Sequence, residues 1–344
     1  MDANFYAGGA NEKHLTSGAF FRSARISLEG NFHEYEYAVE TDFADETSQL
    51  KDGYLRRILG PGKIIAGQFK VMEGLEQKTS SEDDTFIESS YLSQILPGHQ
   101  IGAGYYGARG MFGYAGTLYN MRQAADGEAR PLTSGLGTGM RGFFTPVNQN
   151  QMAVHVGASY AHEFADVDNP DFITNPVRVS PAGRAERYRN GSNTYRFVVY
   201  DRNGERAKID RFNVEGVVIN GPLSLQGEYL TGRSKVKTQP DDDFKAWYTQ
   251  ISYFITGEAR AYKELNGDIG RPKPSRDTGA VEVAARYQRV EREKISGAHL
   301  SSTDLGLTYY ANENVRFMVN YNFVHNNLSP DDPDLLSPRF QFDF

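Results

Sequence analysis

Apolar and polar residues alternate with a period of two from one end of this chain to the other, and the i, i+3, i+4 spacing of an amphipathic helix is nowhere sustained. Between Asn213 and Leu230, one set of alternate positions holds Val214, Gly216 and Val218, then resumes after Asn220-Gly221-Pro222 with Leu223, Leu225, Gly227 and Tyr229. The other set holds Asn213, Glu215, Ser224, Gln226 and Glu228. Two such runs around a tight Asn-Gly-Pro turn predict a hairpin with one apolar and one polar face. The same alternation recurs in Trp247 to Ile255, in Val281 to Gln288 and in Val315 to Val324. It recurs once more at the end, where Phe340, Phe342 and Phe344 alternate with Arg339, Gln341 and Asp343.

Strands are predicted over 2–6, 20–29, 34–43, 51–59, 63–70, 99–107, 111–121, 137–145, 151–162, 208–219, 223–233, 244–256, 278–290, 302–311, 315–325 and 339–344, about 16 in all. Their connections alternate between short turns and long polar loops. Gly30-Asn31, Gly60-Pro61-Gly62, Asn220-Gly221-Pro222 and 311–314 are short, whereas 122–136, 163–207, 234–243 and 326–338 are long and expected to face the exterior. Segment 257–277, with Pro272 and Pro274, is long where a short turn is due, and the pattern gives it no role.

Composition narrows the class. A mean hydropathy of -0.57 and no apolar run long enough for a helical span exclude helical membrane crossing, but in a barrel only alternate residues meet lipid. A soluble β-sandwich would also alternate. The number of hairpins without an intervening helix, together with aromatic residues at strand ends, favours a transmembrane antiparallel β-barrel built as one domain over 1–344. There is no cysteine for a disulfide or thiolate metal site, and a net charge of -7 argues against nucleic acid as a partner. The start MDANFYAGGANEKH lacks a secretory leader, so an upstream signal and the start of strand one are expected to lie outside this chain, leaving a seam that closes poorly against Phe344. No enzyme is expected: GxSxG and HExxH are absent, and His155 and His162, seven apart on one strand, point to opposite faces.

Several stretches carry a more specific signal: FFRSARISLEG (20–30), LKDGYL (50–55), GQFK (67–70), GLEQKTSSEDDTFIESS (74–90), NGPLSLQGEYL (220–230), KAWYTQISYFITGEARAY (245–262), GAVEVAARY (279–287), LGLTYYANENVRFMVNY (305–321) and RFQFDF (339–344). In this order they resemble the phosphate-selective porin O and P family of Gram-negative outer membranes. The resemblance implies a 16-stranded barrel, usually a homotrimer, whose third long loop, here about 71–98, folds inward as a constriction.

Carried over residue by residue, the resemblance keeps Arg22, Asp52 and the serine pair Ser80 and Ser81 as anion-binding positions. Ser23 stands where a second arginine is expected, with Arg25 nearby; the loop lysine is displaced to Lys78; Ser89 and Glu36 replace an expected arginine and lysine. Lys70 adjoins the loop, and either a permeant anion or Glu73 or Glu76 is the expected partner of Lys70 and Lys78. Arg25, Arg286 and Arg316 are expected to pair with carboxylates across strands. Glu82, Asp83 and Asp84 lower the potential of the loop and read as a solvated tip rather than a metal site. Arg184, Arg187 and Arg189 read as solvated exterior residues or as contacts to lipopolysaccharide phosphates.

The expected function is an outer-membrane porin for passive diffusion of small hydrophilic solutes, chiefly anions such as phosphate or pyrophosphate, with no cofactor. Alternatives are a general or cation-preferring pore, and a non-conducting structural or adhesive surface barrel. Outer-membrane lipid and lipopolysaccharide are the expected surroundings.

Overall fold

The computed structural model describes residues 2–7, 18–44, 48–121, 124–125, 128–129, 135–165, 177–181, 197–200, 206–293, 297–328, 332 and 334–343. It begins with β1 (Asp2–Ala7), β2 (Gly18–Phe20), β3 (Arg25–Phe32), β4 (Tyr35–Asp42), β5 (Gln49–Leu59) and β6 (Gly62–Lys70), then the short helices α1 (Leu75–Lys78) and α2 (Tyr91–Ile95). Next come β7 (His99–Arg109), β8 (Phe112–Asn120), β9 (Ala124–Ala125), β10 (Glu128–Ala129), β11 (Gly135–Gln149), β12 (Met152–Ala165), β13 (Val177–Val179) and β14 (Phe197–Tyr200). The chain continues through β15 (Ala207–Asn220), β16 (Leu223–Val236), β17 (Asp242–Phe254), β18 (Ala261–Lys263) and β19 (Asp268–Gly270). It ends with β20 (Ala280–Arg292), β21 (Ala298–Tyr310), β22 (Val315–Asn326) and β23 (Asp334–Phe342).

One antiparallel sheet contains seventeen of these strands; β9–β10, β13–β14 and β18–β19 form separate pairs. Strands consecutive in the large sheet pair with one another from β3 to β23, and β1 pairs with both β2 and β23. The ladder is not continuous. β2 bonds β1 and β3 bonds β4, but residues 21–24 between them are not strand, so the stretch expected as one strand over 20–29 is split and the count is seventeen rather than about 16. On the far side of this break β23 meets β1 as far as Asp2 opposite Arg339; Phe344 lies outside the described residues.

The two faces follow the sequence. Val214, Leu225, Tyr229, Ile251, Tyr253, Phe317 and Val319 stand exposed on the outside, while Glu215, Gln226, Glu228, Arg286, Arg316 and Asn320 are buried within. Such an inversion of a soluble protein is stable only where lipid covers the outer face. Aromatic residues pack together on the outer face: Phe317 on Phe340 at 5.0 Å near the 311–314 turn, and Trp247 on Tyr287 at 5.3 Å near the middle of their strands. The 220–222 hairpin forms in the predicted register, with Asn220 opposite Leu223 and Gly221 at φ 54°, a left-handed conformation that glycine adopts without steric cost.

Among the described residues, three segments depart from the wall and fill the lumen. The first is 71–98, as expected. The second is 255–279, whose β18–β19 hairpin enters from the short-turn end and packs Ile269 with Leu75, Val217 and Ile219. The third is the β13–β14 pair, where Val179, Phe197 and Val199 join Tyr91, Leu92 and Ile95 in one apolar cluster. That corrects the expectation that all of 163–207 faces the exterior: β13 and β14 alternate too briefly to stand out, yet their apolar residues cover α2. Arg184, Arg187 and Arg189 lie outside the described residues.

Candidate functional site

The inward course of 71–98 starts at Gly74, which precedes α1 with φ 77°. A Cβ there would lie 2.6 Å from Leu96 Cδ1 and 3.0 Å from Glu228 Oε2, so only glycine lets the backbone come this close to the wall. Glu228, on β16, accepts hydrogen bonds from the amides of Leu75 at 3.0 Å and Glu76 at 2.7 Å, satisfying the free N–H groups of α1. The Arg211 guanidinium donates to Glu73 at 3.0 Å and to Glu163 at 2.9 Å, all three side chains being buried. Further along, Gln288 accepts from the Tyr91 amide at 2.7 Å and Asn320 from the Ile87 amide at 2.6 Å. Arg316 and Arg339 donate to the carbonyls of Asp84 and Ile87 at 2.9 and 2.8 Å. The loop is thus fixed along its length by the polar inner face, whose side chains would otherwise be buried without partners.

The acidic run is not a solvated tip. Asp83 accepts from Lys263 at 2.6 Å and from Arg271 at 2.9 Å, both carried by the second inward segment. Its carbonyl accepts from Arg260 at 2.9 Å, and Arg260 is itself paired with Glu282 at 2.8 Å. Burial alone would raise the Asp83 carboxyl, but the hydrogen bonds from Lys263 and Arg271 hold it below the usual carboxylate range. Glu82 lies 3.6 Å from Arg271. Asp84 is buried, and burial pushes its carboxyl up against the opposing pull of Lys70 and Arg316. Burial likewise pushes Glu76 up, to about 7, although Arg286 stands 3.4 Å away. The run fails as a solvated tip because 255–279 brings its cations beneath it, a juxtaposition that spacing along the chain does not show.

The expected anion-binding residues divide into two groups. Arg22 grips Glu88 through two bonds of 3.1 and 3.0 Å, and Arg25 reaches Glu40 at 3.1 Å and Asp42 at 3.3 Å. Both guanidiniums are therefore held by carboxylates rather than open to a solute. A cavity of roughly 620 Å³ at the break between β2 and β3 brings them together with Ser81, Glu82 and Arg339. The second group surrounds Lys78. Lys70 donates to the Thr79 carbonyl at 2.8 Å rather than to Glu73 or Glu76. Asp52 sits 3.6 Å from His99 Nε2. Among the described residues Lys78 forms no ion pair; its ammonium lies 5.9 Å from the centre of the Tyr106 ring. Burial lowers its pKa to about 8, partly offset by Asp268 and reinforced by Lys70 and Arg141, so at pH 7 it remains largely charged. Ser80, half-buried beside it, accepts from the Asp83 amide through its backbone carbonyl at 2.8 Å, leaving its hydroxyl to other partners.

Of the other expected pairings, Arg286 meets Asp304 across β20 and β21 at 2.8 Å. Arg316 instead donates to the side-chain oxygen Oε1 of Gln341 at 3.0 and 2.8 Å. His155 is buried inside with Glu215 at 3.0 Å, whereas His162 faces Asp210 at 2.8 Å on the outer side, as the seven-residue spacing requires.

Strands with a lipid-facing exterior, a polar interior and an inward loop that narrows it define an outer-membrane porin. The chain belongs to the family described as phosphate-selective porin O and P, which it matches over residues 1–344. It is 26% identical to Porin O of Pseudomonas aeruginosa over 379 aligned positions, covering 99% of this chain and 84% of that protein. Among solved structures it resembles an anion-selective porin from Comamonas acidovorans at a TM-score of 0.62, with 10% identity and 100% and 98% of the two chains covered. It also resembles OmpT of Vibrio cholerae in its trimer form at a TM-score of 0.59, with 12% identity and 98% and 96% covered.

Proposed function

We propose that this porin forms one barrel domain over 1–344 and passes small anions, phosphate among them, through a neck whose attraction centres on Lys78. The observation that carries the reading is a lysine at the inward loop that forms no ion pair among the described residues, placed where low-dielectric walls make a fixed charge most effective. Lys70 and the hydroxyls of Ser80 and Ser81 supply further donors to an anion in transit. Arg22 and Arg25 act as wall ties, so the neck holds phosphate by fewer convergent cations than a dedicated site would use. The acids of β4 do not favour a cation pore, because Glu36 is bonded to Lys63 at 2.7 Å and Glu40 and Asp42 to Arg25. Assembly as a homotrimer is part of the reading, by likeness to the trimeric form of the Vibrio protein. The test is single-channel current in potassium chloride with phosphate titrated in: concentration-dependent block that weakens in Lys78→Ala supports the reading, and open current indifferent to phosphate contradicts it. The filling of the lumen by three segments favours one other reading, a non-conducting barrel, which a measurable single-channel current excludes.

A further inference from the structure

We propose that the outer face of β15 and β16, at the end carrying the long connections, binds the phosphorylated headgroup of an outer-leaflet glycolipid. Lys208 and Lys235 stand directly opposite each other across the ladder, and both are exposed. Like charges so placed destabilise a sheet unless something offsets them. The neighbouring carboxylates Asp210 and Asp243 attract Lys235 but are bonded to other donors. Asp210 accepts from His162 at 2.8 Å and Tyr160 at 2.6 Å, Asp243 from Arg233 at 2.5 and 2.7 Å, and Glu293 lies 2.5 Å from Lys245. Among the described residues neither Lys208 nor Lys235 forms an ion pair. Lys237 extends the basic patch: it too is exposed, and its amide bonds the Arg206 carbonyl at 3.2 Å where the two strands part.

The position of the pair specifies the ligand. Phe212 lies on the same face of β15 four residues nearer the middle of the barrel, with Tyr160 opposite it, and Tyr229 and Trp247 face each other on β16 and β17 two residues further in. Exposed aromatic side chains at this level mark the boundary between acyl chains and headgroups. Four residues at a rise of about 3.4 Å, on strands tilted by about 40°, put the lysines roughly 10 Å beyond that boundary. There two ammonium groups on flexible stems converge on the layer that holds lipid phosphates, with the aromatic rings below to receive the acyl chains. Free inorganic phosphate would meet only the two lysines, without the apolar half of the site. The proposal rests on the outer-membrane placement and not on which ion the pore conducts.

The test is native mass spectrometry of the detergent-purified full chain with bisphosphorylated lipid A, with the same lipid after dephosphorylation, and with inorganic phosphate as competitor. Wild type is expected to retain bisphosphorylated lipid A at least tenfold better than the dephosphorylated lipid, and Lys208→Ala/Lys235→Ala to lose that difference while keeping its single-channel current. Lys208→Arg/Lys235→Arg should restore retention. Equal retention of the phosphorylated lipid by wild type and the double alanine variant overturns the proposal. So does displacement of the lipid by inorganic phosphate at equimolar concentration, which would assign the patch to free phosphate. Loss of the current alone would count against the anion-pore reading and leave the lipid result intact.

Discussion

Lys263 donates to Asp83 across 2.6 Å, joining two segments that enter the lumen from opposite ends of the barrel. The bond ties the constriction loop to a support below it as well as to the wall beside it. Arg271 shares the load: besides Asp83 it reaches Asp343 at 2.6 Å, near the chain's end. Loss of Lys263 alone is therefore partly covered. Lys263→Met should leave the barrel folded and raise open-channel noise, and Lys263→Met/Arg271→Met should add a larger conductance as the loop loosens. Single-channel recording checks both; a double variant indistinguishable from wild type would show that the second segment does not support the loop.

The wall side of the loop depends on Arg211. Removing one partner of a buried ionic cluster leaves uncompensated charge and costs about 3–5 kcal/mol. Arg211→Met strands both Glu73 and Glu163, so it should lower the midpoint of heat-induced unfolding seen on gels more than Glu73→Gln, which leaves Arg211 its bond to Glu163. The same midpoint for both variants would contradict this ordering.

Gly74 makes a steric prediction. Valine there must adopt a backbone conformation it disfavours and push against Leu96 and Glu228, so Gly74→Val should unseat α1 without preventing strand formation. Faster proteolysis within 71–98, with the β-sheet circular dichroism signal retained, is the expected outcome.

Lys78 gives the pore a pH dependence of definite sign. With its pKa lowered to about 8, it is mostly protonated at pH 7 and mostly neutral at pH 9. Attraction of anions to the neck is therefore present below about pH 8 and lost above it, so the anion-to-cation permeability ratio should fall between pH 7 and pH 9. An arginine keeps its charge throughout, and Lys78→Arg should hold the ratio steady over that interval. A wild-type ratio that is flat from pH 7 to pH 9 would remove Lys78 from the selectivity mechanism.

The wall was legible in the sequence because each strand records its environment locally. Val214 and Glu215 differ by one position and by everything they touch, and a period of two reports this without knowledge of neighbours. The interior was legible only in part. Resemblance placed 71–98 as the inward loop, yet Arg22 and Arg25, carried over as anion sites, are held by Glu88, Glu40 and Asp42, partners that register and loop path select. Nor did the pattern identify Glu228 as the cap of α1, since 152 residues separate it from Glu76. One signal was available and unused: a connection anomalously long for its end of the barrel, carrying Arg260, Lys263 and Arg271, complements an acidic run that also needed partners. β13 and β14 are too short for alternation to be distinctive, so their place on α2 depends on packing alone.

Lys78, which forms no ion pair among the described residues, makes the neck favour anions. The most direct test is the reversal potential of the channel in a planar bilayer under a potassium chloride gradient at pH 7, for wild type and Lys78→Glu. Wild type is expected to show a reversal potential of the sign set by chloride, and the variant a shift toward the potassium side. A wild-type potential on the potassium side, or one that Lys78→Glu leaves unmoved, would contradict this role of Lys78.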